Sequence, residues 1–231
     1  MPLVLHRRLA FAFAAALLAL PTAVFAAGAF TSPNAYPTDA TVEYDSVDRT
    51  VRVRGPIGPR FEPQLRAVLA AHPDAQRVDV RSPGGMRRQA LRAAELLNER
   101  QLPVRITGRC ASACALLWAA VDAREMTAGS RLGLHRSRLV GPLVFPDAIA
   151  QQINAHNDRE TDAVLRKAGF PEHVVVAGSA TPSNSMSWFA ADELQREGVP
   201  FVLHAPLRGV APTIVAVQAT VADEPSGVTQ Q

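Results

Sequence analysis

The strongest constraint on this chain is a repeated switch from period-2 to period-3.6 hydrophobic patterning between residues 41 and 135. Short alternating runs at 41–44, 50–54, 77–81 and 103–107 read as strands. Stretches with apolar residues at helical spacing separate them: Leu65, Val68 and Leu69 in one, Leu91, Ala94 and Leu97 in the next. A second apolar helix is expected over 111–120, after a turn at Gly108-Arg109-Cys110, and two further short strands over 124–127 and 132–134. Strands alternating with helices at this spacing imply α/β layering with mainly parallel strands. The region after Pro142 reads as mostly helical, with an amphipathic stretch over 147–168 and a short helix over 190–197 stopped by Gly198-Val199-Pro200.

The ends of the chain read differently. His6, Arg7 and Arg8 precede an unbroken apolar run, Leu9 to Leu20, and Val24-Phe25-Ala26 offers compact residues at a cleavage site. Residues 1–26 are therefore expected to be a signal peptide, with an uncleaved anchor as the alternative, since a span needs about 20 apolar residues. Residues 27–40 read as a linker, 41–204 as the folded domain, and 205–231 as a tail without clear period. Cleavage after Ala26 would release a protein destined for the periplasm or the medium. It would remove Arg7 and Arg8 and no acid, so the formal net charge of +3 falls to +1. With no basic run interleaved with aromatics, no nucleic-acid partner is expected. Nearly all the positive charge is arginine; Lys167 is the only lysine.

Three short segments have the residue types of a reactive site. Ser82-Pro83-Gly84-Gly85 links a strand to a helix, and adjacent glycines there free backbone N–H groups to face a ligand. Cys110-Ala111-Ser112-Ala113-Cys114 puts a serine between small neighbours at a helix start, open to a carbonyl approaching within about 3–3.5 Å. The competing reading is a serine that merely caps the helix. Arg131-Leu132-Gly133-Leu134-His135 ends an apolar strand on a histidine, a candidate base. The two cysteines, four apart, would lie about 6 Å apart on a helical turn, within bridging range. A disulfide and a pair of buried small apolar side chains are both compatible with that spacing. Zinc is not expected, because no second Cys or His pair has ligand spacing.

In this order, S-P-G-G, then G-x-C-x-S-A-C, then a strand ending in His resembles the Clp protease proteolytic subunit. It is most similar to exported members of that kind in which C-x-S-A-C forms the nucleophile turn. The likeness spans roughly residues 51–201. It implies a Clp/crotonase-like ββα superhelix, with Ser112 as nucleophile, His135 as general base and the backbone N–H groups of Gly85 and Ala113 as the oxyanion hole. The acidic third member of such a site should fall just before the 190–197 helix. No Asp or Glu stands there; Asn184 is the candidate, and Asp147, Asp158 and Asp162 lie on or beside the preceding helix. Lys167 is badly placed for a Ser–Lys dyad. These readings converge on an exported, ATP-independent serine hydrolase acting on peptides or proteins, with no cofactor, no metal and no ATPase partner. A homo-oligomer is open. The alternative is an inactive Clp-like fold that binds peptides or acts as a scaffold. Trp188 and Phe189 are read as core, with a cleft lining as the alternative.

Overall fold

A computed structural model describes residues 38–139, 141 and 143–206. The expected signal peptide, most of the linker and most of the tail lie outside these residues. The described part begins with a hairpin of β1 (Thr41–Asp45) and β2 (Thr50–Arg54), followed by α1 (Phe61–Ala71), β3 (Arg77–Ser82) and α2 (Arg87–Glu99). Next come β4 (Val104–Ala111), α3 (Ala113–Ala120), β5 (Arg124–Thr127) and β6 (Arg131–Leu134). The chain continues through α4 (Asp147–Lys167), α5 (Glu172–Ala180), β7 (Ser187–Ala190), α6 (Ala191–Arg196) and β8 (Val202–His204).

All eight strands join one sheet in the order β1-β2-β3-β4-β5-β8, with β6 paired to β4 and β7 to β6. Only the β1–β2 and β6–β7 pairs are antiparallel. The mainly parallel α/β arrangement expected from the sequence is present.

Strand β4 departs from expectation, and the placement of the site depends on it. The sequence suggested a strand ending at Thr107 and a turn at Gly108-Arg109-Cys110. Instead the strand runs on to Ala111, with a shift of register against β3 between Val80 and Ser82. Its first half pairs with β5 (Val104↔Arg124) and its second with β6 (Arg109↔Arg131). A glycine inside a strand marks an irregularity or a close approach as readily as an end. Here a Cβ on Gly108 would lie 3.3 Å from the Arg81 side chain. The change of partner carries the end of β4 away from β5 and toward β6.

Two short strands were not anticipated. β7 is four residues and β8 three, too short to show a period, and both are defined by their partners: Gly133↔Trp188 and Met126↔Leu203. The helix expected over 190–197 is the shorter α6, because Ala190 belongs to β7. At the other end, residues 38–40 of the expected linker are fastened to the domain. Ala40 is buried, and the Asp39 carboxylate accepts bonds from the Arg60 N–H and Nε at 2.7 and 2.9 Å.

Alternation decides which face of the sheet meets the helices. Val51 and Val53, Val78 and Val80, and Val104 and Ile106 point into one core with Leu65, Leu69 and Leu97. Helix α3 is apolar all round and buried along seven of its eight residues, as a central helix should be. Trp118, fully buried, donates its Nε1–H to the Glu125 carbonyl at 2.9 Å. On the opposite face, Arg105 and Asp79 form a bidentate pair (2.8 and 2.7 Å) with their side chains only 9% and 7% exposed. Truncating one member of such a pair strands the other charge. Asp79→Ala is expected to lower stability by roughly 3 kcal/mol in urea denaturation, and a loss below about 1 kcal/mol would show the pair to be solvated.

Candidate active site

Strands β3 and β6 both pair in parallel with β4, so the carboxyl ends of all three open on one edge of the sheet. The three segments singled out in the sequence follow these ends: Pro83-Gly84-Gly85 after β3, Ser112 after β4 and His135 after β6. Such an edge is where ligands bind in open parallel sheets.

Ser112 sits between the strand and the helix as the N-cap of α3, which begins at Ala113 rather than at the expected Ala111. Its backbone is at φ 55° and ψ −123°, a conformation non-glycine residues rarely adopt. Holding it costs about 1–3 kcal/mol, which surrounding contacts must offset. Three of them are evident. The Ser112 N–H donates to the Gly133 carbonyl at 2.9 Å, and its carbonyl accepts from the Leu116 N–H at 3.1 Å. The Cys110–Cys114 disulfide closes the turn from the strand to the helix, with Cα atoms 5.3 Å apart and both residues fully buried. The Ser112 side chain makes no capping hydrogen bond, so the plain helix-cap reading does not describe it. The strained turn instead presents Oγ at the tip of a sharp strand-to-helix reversal.

The glycine pair lies directly against this turn. Gly84 has φ 94°, and a Cβ there would stand 2.5 Å from the Ala111 carbonyl oxygen and 2.7 Å from Ser112 Cβ. Gly85, at φ 143°, forms a parallel bridge with Ile57: Ile57 N–H donates to Gly84, and Met86 N–H donates to Ile57, each at 2.8 Å. That pattern uses the amides on either side of Gly85 and leaves its own N–H unengaged among the described residues. The Ala113 N–H, first in its helix, likewise has no intrahelical acceptor.

His135 is half-buried, and its Nδ1 lies 2.7 Å from the Arg136 carbonyl oxygen. A carbonyl only accepts, so this contact puts the proton on Nδ1 and leaves Nε2 with its lone pair. The segment carrying that carbonyl is tied on both sides. The Arg136 N–H donates to the Thr181 carbonyl at 2.9 Å, and the Ser137 N–H donates to Asp158 Oδ1 on α4 at 2.6 Å.

Ser112, Ala113, Gly84, Gly85 and His135 line one cleft of about 610 Å³, together with Asn157 and Thr161 of α4; no hydrogen bond joins the Ser112 side chain to His135 among the described residues. Asn184 does not belong to the cleft. It lies exposed in the turn before β7 and makes no hydrogen bond to His135, whose Nδ1 the Arg136 carbonyl already occupies. The position expected for an acid is filled by a main-chain oxygen, which no side-chain pattern reveals. Asp158 acts one step removed, by fixing the segment after the histidine. Lys167 is exposed in the last turn of α4 and does not line the cleft. Phe189 is buried as expected, whereas Trp188 lines a second cavity beside the first.

No family model matches this chain, and no curated protein matches it. Among solved structures it is similar to a ClpP1 mutant from Listeria monocytogenes, at 14% identity and TM-score 0.56 over 69% of this chain and 92% of that one. It is also similar to a peptidase from Plasmodium falciparum, at 13% identity and TM-score 0.52 over 68% and 96%. At these identities the likeness concerns the fold. The protein has a Clp-protease-like α/β fold, with the Ser112 cleft at the carboxyl edge of its sheet.

Two substitutions test the geometry. Gly84→Ala would drive a methyl into the Ala111 carbonyl at a left-handed φ; it is expected to cost at least about 1–3 kcal/mol in thermal unfolding and to open the turn at Ser112. A variant as stable as wild type would show that the two segments part easily. Asp158→Ala is expected to free the Arg136–Ser137 segment, seen as faster amide exchange at Ser137, while Asp158→Asn, which keeps an accepting oxygen, largely restores protection. Equal exchange in both variants would count against the Asp158 tether.

Proposed function

We propose that this protein is an exported, ATP-independent serine hydrolase, most naturally a peptidase, with Ser112 as nucleophile and His135 as general base. The observation that carries the reading is the strained, uncapped Ser112 at the strand-to-helix turn, in one cleft with a histidine whose Nε2 is left free to accept a proton. In this reading Ser112 Oγ adds to the substrate carbonyl carbon while its proton passes to His135 Nε2. The N–H groups of Gly85 and Ala113 hold the oxyanion. His135 then returns the proton to the departing amine, the C–N bond breaks, and an acyl-serine remains. Water, deprotonated by the same nitrogen, releases the acid and restores the serine. Substrates on this view are peptides or proteins.

Export is proposed from the leader-like residues 1–26 and is supported by the bonded Cys110–Cys114 pair, since disulfides persist in oxidising compartments. A homo-oligomer is proposed from the apolar surface at the start of α4, where Leu143, Val144 and Ile149 are exposed. Neither ATP nor a nucleic acid enters the scheme.

The test is labelling of purified protein with a fluorophosphonate probe and mapping of the adduct. An adduct on Ser112 is expected, absent in Ser112→Ala and slowed by about 100-fold or more in His135→Ala. If Ser112 stays unlabelled with the disulfide intact, the chain is instead an inactive Clp-like peptide-binding or scaffold protein.

A further inference from the structure

Beside the Ser112 cleft, and sharing Pro83 with it, lies a second cavity of about 560 Å³. Arg54, Arg81 and Arg109 line it together with the apolar surfaces of Met186 and Trp188. The register explains why the arginines meet. Arg54 pairs with Arg81 across β2 and β3, and Arg109 pairs with Arg131 across β4 and β6. The register between β3 and β4 shifts at Arg81, which packs against Gly108, and Arg81 and Arg109 meet in the lining of the cavity. Four adjacent strands thus each bring an arginine to the same part of the sheet.

Charge balance sets this row apart from the one beside it. On the same face Arg52, Asp79, Arg105 and Glu125 alternate in sign along that neighbouring row, Arg105 being bonded to Asp79 and Arg52 to Asp45 and Asp48. Among the described residues no carboxylate pairs with Arg54, Arg81, Arg109 or Arg131. Like charges on neighbouring strands repel; all four arginines are exposed, so solvent screens that repulsion, and a bound anion would add a direct partner. Arg109 is also held over the Trp188 ring, 5.5 Å from its centroid, which fixes a guanidinium at the cavity mouth above an apolar wall. Guanidinium forks match carboxylates two hydrogen bonds at a time. The ligand that satisfies both features is a carboxylate carried on an apolar body.

We propose that this cavity recognises a peptide carboxylate and so selects carboxylate-bearing peptides for the neighbouring cleft. Selection of substrates rests on the hydrolase reading; carboxylate recognition does not. The carboxylate comes from Asp or Glu side chains or from a free C-terminus.

The experiment uses the Ser112→Ala protein, in which peptides stay intact whether or not Ser112 is a nucleophile. Peptide binding is followed by Trp188 fluorescence, with Trp188→Phe as the check on the signal, because Trp118 is sealed in the core. Three peptides share one apolar sequence: one with internal Glu and an amidated end, one with Gln in place of Glu and a free carboxylate, and one neutral throughout. At least one charged peptide is expected to bind about ten-fold tighter than the neutral one, and the tighter of the two names the source of the carboxylate. That preference is expected to fall to about three-fold or less in Arg81→Gln/Arg109→Gln, and to shrink with all the arginines in place as salt rises to about 1 M. The proposal is overturned if charged and neutral peptides bind equally, if none binds, or if the preference survives both the substitutions and the salt. A failure here leaves fluorophosphonate labelling of Ser112 untouched as the separate test of hydrolysis.

Discussion

The fold turns on one close approach: Gly84 against the backbone of Ala111, Ser112 and Ala113. Nothing larger than hydrogen fits at Gly84, since a Cβ would stand 3.0 Å or less from an atom of each of these three residues. The approach brings the loop after β3 to the turn after β4, so that Gly85 and Ala113 line the same cleft. It also braces Ser112 in a backbone conformation that an isolated chain would leave. The Gly133 carbonyl and the Cys110–Cys114 bond brace the same turn from β6 and from within α3. Four elements therefore converge on one residue, and strain at one residue is what such convergence can sustain.

The histidine is positioned by different means. Its ring is oriented by the Arg136 carbonyl; the Arg136 N–H is moored to the Thr181 carbonyl and the following Ser137 N–H to Asp158 on α4. A neutral carbonyl fixes the tautomer as well as a carboxylate does. It stabilises a developing imidazolium less, because bonds to charged partners are about twice as strong. In the proposed hydrolase, the oxyanion donors and the geometry of the serine would then carry most of the catalysis. A carboxylate-binding subsite next door would add to this by holding the substrate rather than by acting on the bond.

Much of this was readable in the residues, because it was local. The strand at Arg77–Ser82, the helix at Phe61–Ala71 and the strand ending at Leu134 each carry their own period, and the three candidate segments fall at strand ends. Ser112, His135, Gly85 and Ala113 were named from those segments, and the cleft gathers them. What escaped was set by partners distant in sequence or by main-chain atoms, which side-chain patterns do not show. Gly108 looked like a stop and proved to lie within a strand that changes neighbours. Asn184 was chosen by counting back from a helix, but the Arg136 carbonyl takes the bond it was meant to make. The strands at Ser187–Ala190 and Val202–His204 exist only through their pairing.

The arginine row shows the same limit from the other side. In the sequence Arg54, Arg81, Arg109 and Arg131 are scattered over four segments, and an arginine-rich composition says little about where the charge collects. Strand pairing alone brings them together. The adjoining row follows the ordinary rule that charges on a sheet face find partners across strands. Arg52 and Arg105 each have one, and Arg105 is buried with its own. A sheet that neutralises one level and leaves the next uniformly positive has its free charge beside Pro83, at the wall of the cleft. Exposed arginines need no partner for stability, so what sets this group apart is the cavity it shares with Trp188, where a carboxylate on an apolar body can meet both.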